Sequence, residues 1–462
     1  MSGDEPVGVA AERRFPEGFW WGTATAGHQI EGGNEHSNWW EWEKLGLVDD
    51  GTVSGRACDY WNRWPEDHDL LVELGQQGFR LGLEWARLEP SEGAFDDEAL
   101  AQYVAMLADL QAKGLKVCLT LNHWVLPNWF AEIGGWLHPR AIERWARFVR
   151  HVVPALAAHV DLWVTLNEPM VPVLAGYLAG YHPPAKANPL LARRVFCRLL
   201  EAHAVAYDLV HRMVPRAPDG GRTMVGYANA YQHIEPYHEG GPLRPLEAVA
   251  SRVVSWVSFD AWDHAVRTGL VPFPMGLGRM GPRIPRLAGS ADFVGVNYYM
   301  RSSVRVNPSS LSNVKSGEYD VPPGIETTEM GWQIYPPGFR AVLDRVSRRM
   351  DLPIYVTENG CCDSGDELRR AYLVSHLGAV HDAIADGADV RGYMHWTFID
   401  NFEWREGFAK RFGLVEMEHT DPALTRRPRP SAAMMRTIIE QNALTSEVIE
   451  EHAPGALERF SS

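Results

Sequence analysis

The chain has 462 residues, 45% of them hydrophobic and 22% charged, with a formal net charge of −15. That length and apolar content support a sizeable core, so neither disulfides nor a metal is needed to hold a fold. The negative charge argues against nucleic acid, which needs clustered Lys and Arg, and against anionic membrane surfaces; a neutral small-molecule substrate fits better.

In chain order, Met1 to Arg14 lacks the apolar core of a signal peptide. No later stretch approaches the roughly 20 apolar residues of a membrane span. Five cysteines, Cys58, Cys118, Cys197, Cys361 and Cys362, are an odd number without regular spacing, unlike a secreted disulfide framework. Together these features predict a soluble, cytoplasmic protein. The 18 tryptophans are an excess. A large aromatic core accounts for part of it. Sugar binding suits the rest, because the C–H face of a pyranose packs on indole while its rim hydrogen-bonds outward.

Beyond the N-terminus, short apolar β-rich runs alternate with helical patterns. Strands are predicted near 19–24, 78–84, 115–122, 160–167, 223–229, 291–297, 353–358 and 390–396. Leu100, Val104, Leu107 and Leu110 recur at helical spacing; Asp96 or Asp97 caps the start and Gly114 ends it. The run that follows, Leu115 to Leu121, is almost continuously apolar, as in a parallel strand buried on both faces. Further helices are predicted over 141–158 and 367–385. Eight strands alternating with helices predict a single (β/α)8 TIM barrel with long loops, an α/β fold; a doubly wound open sheet is the alternative. Its parts are an N-terminal tail (1–14), a catalytic barrel (15–442) and a C-terminal tail (443–462) read as a polar surface helix or a frayed end. Pro- and Gly-rich connections near 169–200, 230–260 and 298–340 are expected to wall a cleft at the C-terminal ends of the strands.

Two carboxylates sit in settings that matter. In LWVTLNEP an apolar strand runs to Asn167 and Glu168, and Pro169 stops it. In PIYVTENG another runs to Glu358, and Asn359 and Gly360 make the turn. Both end a barrel strand, the fourth and the seventh, from where they can face each other across the mouth. Glycoside hydrolysis needs two such carboxylates, one to attack the anomeric carbon and one to protonate the leaving oxygen. A strand-end Glu by itself is more often a solvated loop carboxylate or a helix cap.

With these segments in view the sequence resembles glycoside hydrolase family 1, from about Phe15 to Asn442. The motifs run in the family's order: FPEGFWWGTATAGHQIEG (15–32), FRLGLEWARLEP (79–90), LTLNHW (119–124), VTLNEP (164–169), DFVGVNYY (292–299), PIYVTENG (353–360) and GYMHWTFIDNFEWREGFAKRFG (392–413). The resemblance implies a retaining, exo-acting β-glucosidase with β-galactosidase or β-fucosidase side activity, working without metal or cofactor on unphosphorylated β-D-glycosides. It implies Glu168 as acid/base and Glu358 as nucleophile, with Arg80, Asn297 and Tyr299 supporting them. Gln29, His123, Trp124, Asn167, Trp396, Glu403, Trp404 and Phe412 match substrate-binding positions, and Trp332 an aromatic wall on the leaving-group side. Alone, Trp396 or Trp404 would read as core, His123 as a structural histidine and Arg80 as an ion-pair partner.

Glu168 is not the Gln of the family's thioglucosidases. Glu403 is intact, unlike in its 6-phospho-β-glycosidases, and would repel a phosphate. Departures are His28, where an aromatic is common, Glu84, where many members have Ser, and Thr397. Strand alternation puts Glu84 on the face of Arg80, near the site. Cys361 and Cys362, just after the nucleophile, read as inert buried thiols, with a redox role as the alternative. A transglycosidase using an alcohol acceptor, and a catalytically silent carbohydrate-binding protein, are the competing functions. The histidines show no HExxH spacing, which disfavours a metal hydrolase. The sequence leaves the oligomeric state and the aglycone open.

Overall fold

The apolar runs form strands because parallel sheets are covered on both faces, so most residues of such a strand within the barrel are buried. In the computed structural model, which describes residues 12–275, 283–306, 314–315 and 321–460, eight of these strands close into one barrel. They are β1 (Trp20–Ala24), β2 (Gly78–Gly82), β3 (Lys116–Thr120), β4 (Leu162–Asn167), β5 (Met224–Pro236), β6 (Phe293–Val306), β7 (Ile354–Asn359) and β8 (Val390–Trp396). Each pairs parallel with the next. The ring closes where β8 pairs β1, from Gly392 opposite Trp20 to Trp396 opposite Ala24. The fold is thus the (β/α)8 barrel, not the open sheet.

Alternation along each strand decides what faces inward. On β2, Phe79 and Leu81 pack outward in the cluster shared with the helices, while Arg80 points into the barrel toward Thr120, Asn167 and Glu358. At the N-terminal end, Cys118, Leu162, Phe293, Tyr355 and Met394 fill the interior as an apolar plug. The Phe293 and Tyr355 rings meet edge to face at 5.4 Å. Above the plug the interior turns polar, which is where a barrel of this type presents its chemistry.

The helix Asp97–Ala112 starts at Asp96, whose side chain accepts from the Ala99 N–H at 2.8 Å. It ends just before Gly114, at φ +81°. The helices Ala141–Leu156 and Glu367–Ala385 lie where periodicity placed them.

Two predicted connections are partly strand. β5 and β6 run past the barrel rim as a paired ribbon, His233 opposite Arg301 through Pro236 opposite Val304. The sequence reading ended both strands near 229 and 297, because the extension is half-polar and is held by its partner rather than by its own periodicity. Part of the expected 298–340 connection, and most of the expected N-terminal tail, lie outside the described residues. Arg13–Arg14 pairs with Ala443–Leu444. Beyond that, the short helices Ser446–His452 and Ala456–Arg459 follow, with Val448, Ile449 and Ala456 buried. Among the described residues, no helix is long and apolar enough to cross a membrane.

Candidate active site

Glu168 sits one residue past β4, and Glu358 is the penultimate residue of β7. Both are buried. Glu168 has φ +43°, a conformation L-residues rarely adopt. Trp124 and Trp404 share it, at +69° and +48°. Backbone strain gathers at functional sites because the surrounding fold must hold it in place. After Glu358, only glycine fits at position 360, since a Cβ there would lie 1.8 Å from the Trp396 carbonyl oxygen.

The two carboxylates have different neighbours. Glu358 Oε1 accepts from Arg80 Nη1 at 2.6 Å, and Oε2 accepts from the Tyr299 hydroxyl at 2.7 Å. Glu168 Oε1 accepts from Asn297 Nδ2 at 2.8 Å. The Asn297 amide also donates to Asn167 Oδ1, at 3.2 Å. Its oxygen accepts from the Thr357 hydroxyl at 2.6 Å, which fixes the amide's orientation.

These surroundings set the protons. Burial, and then the charge of Glu358, push the Glu168 carboxyl up to about 8. Burial also raises Glu358, but Arg80, Tyr299 and Asn297 pull it back. Glu358 is therefore the member beside a cation and a phenol donor that favour its ionised form, and Glu168 the one whose proton is held by burial and by its partner's charge. Arg80 is fully buried and braced by Thr120, the Thr357 carbonyl and Asn167. Arg80→Met would strand a buried carboxylate. Its expected effect is a loss of about 3–5 kcal/mol of folding stability, measured by urea unfolding; a change under 1 kcal/mol would mean Glu358 is not held ionised by this pair.

A second layer surrounds the pair. Arg80 Nη2 and Asn297 both donate to Asn167 Oδ1, at 2.5 and 3.2 Å. That turns the Asn167 NH₂ toward His123 Nε2, 2.8 Å away. Burial and Arg80 hold His123 neutral, well below the ordinary imidazole value. With Nε2 accepting, its proton is on Nδ1, which has no protein partner. Trp124 Nε1 and Gln29 Oε1 are likewise buried and unpartnered. Gln29 Nε2 donates to Glu403 at 3.1 Å. Burial pushes the Glu403 carboxyl well up, with the Glu406 charge adding to it.

A cavity of about 240 Å³ opens onto these groups. Of the residues expected from sequence, Glu168, Glu358, Asn297, Tyr299, His123, Trp124, Trp332, Trp396, Glu403, Trp404 and Phe412 line it. Arg80, Asn167 and Gln29 stand behind that lining and reach it through hydrogen bonds. Tyr181, His182, Gln232 and Met300 also line it and were not anticipated. They come from the connection after β4 and from the β5–β6 ribbon, where no motif or period marks them.

Among the departures, Glu84 does not reach the carboxylates. It accepts from the His28 N–H and from Asn34, each at 2.7 Å. His28 hydrogen-bonds Glu43 at 2.7 Å, and its ring stacks on Trp404 at 5.8 Å. Thr397 donates to the Ala24 carbonyl at 2.7 Å. Cys361 and Cys362 are buried and free. Burial pushes Cys361 well up and Cys362 to about 12, so neither is a thiolate at neutral pH.

Against known proteins, the family model described as Glycosyl hydrolase family 1 matches residues 11–444. A beta-galactosidase from Saccharolobus solfataricus is 32% identical over 94% of this chain and 96% of its own length. Beta-glucosidase A from Thermotoga maritima is 31% identical over 94% and 99%. The solved structure of a beta-glycosidase from Pyrococcus horikoshii superposes with a TM-score of 0.85 at 36% identity, covering 96% of this chain and 98% of that one.

Proposed function

The chain belongs to glycosyl hydrolase family 1, and from that premise we propose that it is a retaining, exo-acting β-glycosidase on unphosphorylated β-D-glucosides, with β-galactosidase or β-fucosidase side activity. The observation that carries the reading is the pair Glu168 and Glu358 at the ends of β4 and β7, lining one cavity, with Arg80 and Tyr299 bonded to Glu358 and Asn297 to Glu168. Retaining enzymes hold their two carboxyls roughly 5–5.5 Å apart, so that one attacks the anomeric carbon while the other protonates the leaving oxygen.

In the first step Glu358 attacks the anomeric carbon and Glu168 protonates the departing oxygen. Forming the ester removes the Glu358 charge. That charge is one of the two causes that raise Glu168, so Glu168 becomes a stronger acid once the ester forms. It is then ionised when water arrives, and takes the water's proton as general base. One carboxyl thus serves both steps because its partner's charge changes between them.

The unpartnered His123 Nδ1–H, Trp124 Nε1–H and Gln29 Oε1 are two donors and an acceptor waiting for hydroxyl groups. Glu403 accepts alongside Gln29. Trp396 supplies an indole face in the same cavity. Asn167 keeps one amide hydrogen beyond the one given to His123, for the hydroxyl next to the reacting carbon. Relatives named for both glucose and galactose chemistry support a glycone site that tolerates either sugar.

The experiment is proton NMR of the sugar first released from an aryl β-D-glucoside. The β-anomer is expected before mutarotation. Early α-anomer would mean inversion and would remove Glu358 from the nucleophile role; no release from glucoside, galactoside or fucoside would bring the silent binding protein forward.

A further inference from the structure

Behind Gln29 and Trp404 lies a buried carboxyl that the two-step reaction leaves unused. Glu84 stands two residues past β2. Its N–H donates to the Tyr103 hydroxyl at 3.1 Å, and that hydroxyl donates in turn to Glu31 at 2.6 Å. Glu31 also holds Arg87, at 3.0 Å. Among the described residues no Lys or Arg forms such a pair with Glu84, whose two oxygens accept instead from the His28 N–H and the Asn34 amide, each at 2.7 Å. A carboxyl buried without a cation costs stability unless its hydrogen bonds offset the lost hydration.

Both bonds lead to the sugar-binding groups. His28 lies in the short turn Gly27–Ile30, and Ala26 before it offers no side-chain cap, so Glu84 is the acceptor for the His28 N–H. The turn is pressed onto the carboxyl: a Cβ at Gly27 would lie 2.7 Å from Glu84 Oε1. The next side chain, Gln29, donates to the Phe402 carbonyl and to Glu403, at 2.9 and 3.1 Å, and leaves Oε1 for a hydroxyl. The His28 ring is fixed at both nitrogens. Nδ1 accepts from Asn34 at 3.1 Å, so the proton sits on Nε2, which donates to Glu43 at 2.7 Å. That holds the ring against the Trp404 indole, 12° from parallel.

We propose that Glu84 is a positioning residue for sugar recognition: it fixes the turn that aims Gln29 and, through Asn34 and His28, the surface against which Trp404 rests. The inference rests on the glycosidase reading and gives a role to a residue that touches no substrate. Alanine at 84 leaves two buried donors without an acceptor. The turn then moves toward other partners and takes Gln29 and the His28 ring with it. Glu168 and Glu358 stay where Asn297, Arg80 and Tyr299 hold them. The loss therefore falls on the hydroxyl that Gln29 serves, not on the bond-breaking end.

The test is kcat/KM of the wild type, Glu84→Ala, Gln29→Ala and the double variant on 4-nitrophenyl β-D-glucoside and its 3-, 4- and 6-deoxy analogues. Glu84→Ala is expected to lower kcat/KM on the full glucoside by about tenfold. The deoxy analogue on which Gln29→Ala costs least marks the hydroxyl that Gln29 binds, and on it Glu84→Ala is expected to cost no more than about twofold. The double variant is expected to lose far less than the product of the two single losses, because one change acts through the other. Equal losses on every substrate, as from a general structural defect, overturn the proposal, and so do losses that multiply. Glu84→Gln keeps the volume and one acceptor oxygen. It is expected to show the same pattern at about threefold, and it carries the test if Glu84→Ala does not fold. Calorimetry with 4-nitrophenyl β-D-thioglucoside reads the positioning without turnover: Glu84→Ala is expected to bind it about tenfold more weakly, and unchanged affinity overturns the proposal. Weakened thioglucoside binding beside a wild type that turns over no glycoside sinks the glycosidase reading alone. Wild-type turnover that the Glu84 variants match on every substrate sinks the positioning role alone.

Discussion

Glu358→Ala is expected to lower kcat on aryl β-glucosides by on the order of 10⁴-fold or more, about 5.5 kcal/mol of transition-state stabilisation, because the covalent route disappears with the nucleophile. The change leaves the buried Arg80 without its counter-ion, at a cost in folding stability, but Arg80 keeps Thr120, the Thr357 carbonyl and Asn167 as partners. A small anion diagnoses the role. Azide entering the vacated side of the sugar attacks the anomeric carbon directly while Glu168 protonates the leaving group. The product is then the α-glycosyl azide, formed by one inversion. Recovery of activity with an α-azide product identifies Glu358 as the nucleophile. A β-azide product would assign that role to another residue, and a variant with more than a tenth of wild-type activity would end the covalent mechanism.

Why the carboxylates were legible in the sequence and their surroundings less so has a physical basis. LWVTLNEP and PIYVTENG are apolar runs stopped by Pro169 and by Gly360. Burial of both sheet faces writes the strand, and the stop writes its end, so a carboxylate there must lie at the barrel mouth. The inward turn of Arg80 follows from alternation along β2 in the same way. What the sequence does not carry is anything settled between distant segments. The β5–β6 ribbon exists because each strand supplies the other's hydrogen bonds beyond the rim, and its half-polar residues have no period of their own. Tyr181 and His182 enter the cavity from a connection without pattern. Glu84 illustrates the limit of alternation: the register is right, but β2 ends at Gly82, and the carboxylate turns to the His28 N–H and Asn34 instead of the site. The unequal acidity of Glu168 and Glu358 is likewise a product of distances between four strands.

That inequality gives the second large effect, which appears as a pH profile. With Glu168 near 8 in the free protein, kcat/KM for a poor leaving group falls about tenfold per unit above that value, because the acid form is required and disappears as pH rises. On the acid side, activity falls as pH drops through the Glu358 value, because there the ionised form is required. Glu168→Ala removes the basic limb, and lowers kcat/KM for such substrates by roughly 10²–10⁴. A dinitrophenyl leaving group needs no proton, so its first step survives in this variant and the glycosyl–enzyme accumulates. Azide then attacks the ester from the face Glu168 occupied and gives the β-glycosyl azide, the opposite anomer to that from Glu358→Ala. The link between the two carboxyls is testable directly. In Glu358→Gln the neighbouring negative charge is gone, so the Glu168 carboxyl, followed by carbon-13 NMR, is expected to titrate below its wild-type value, retaining only the upward shift from burial. An unchanged titration would mean burial alone sets Glu168, and the switch from acid to base between the two steps would then need another cause.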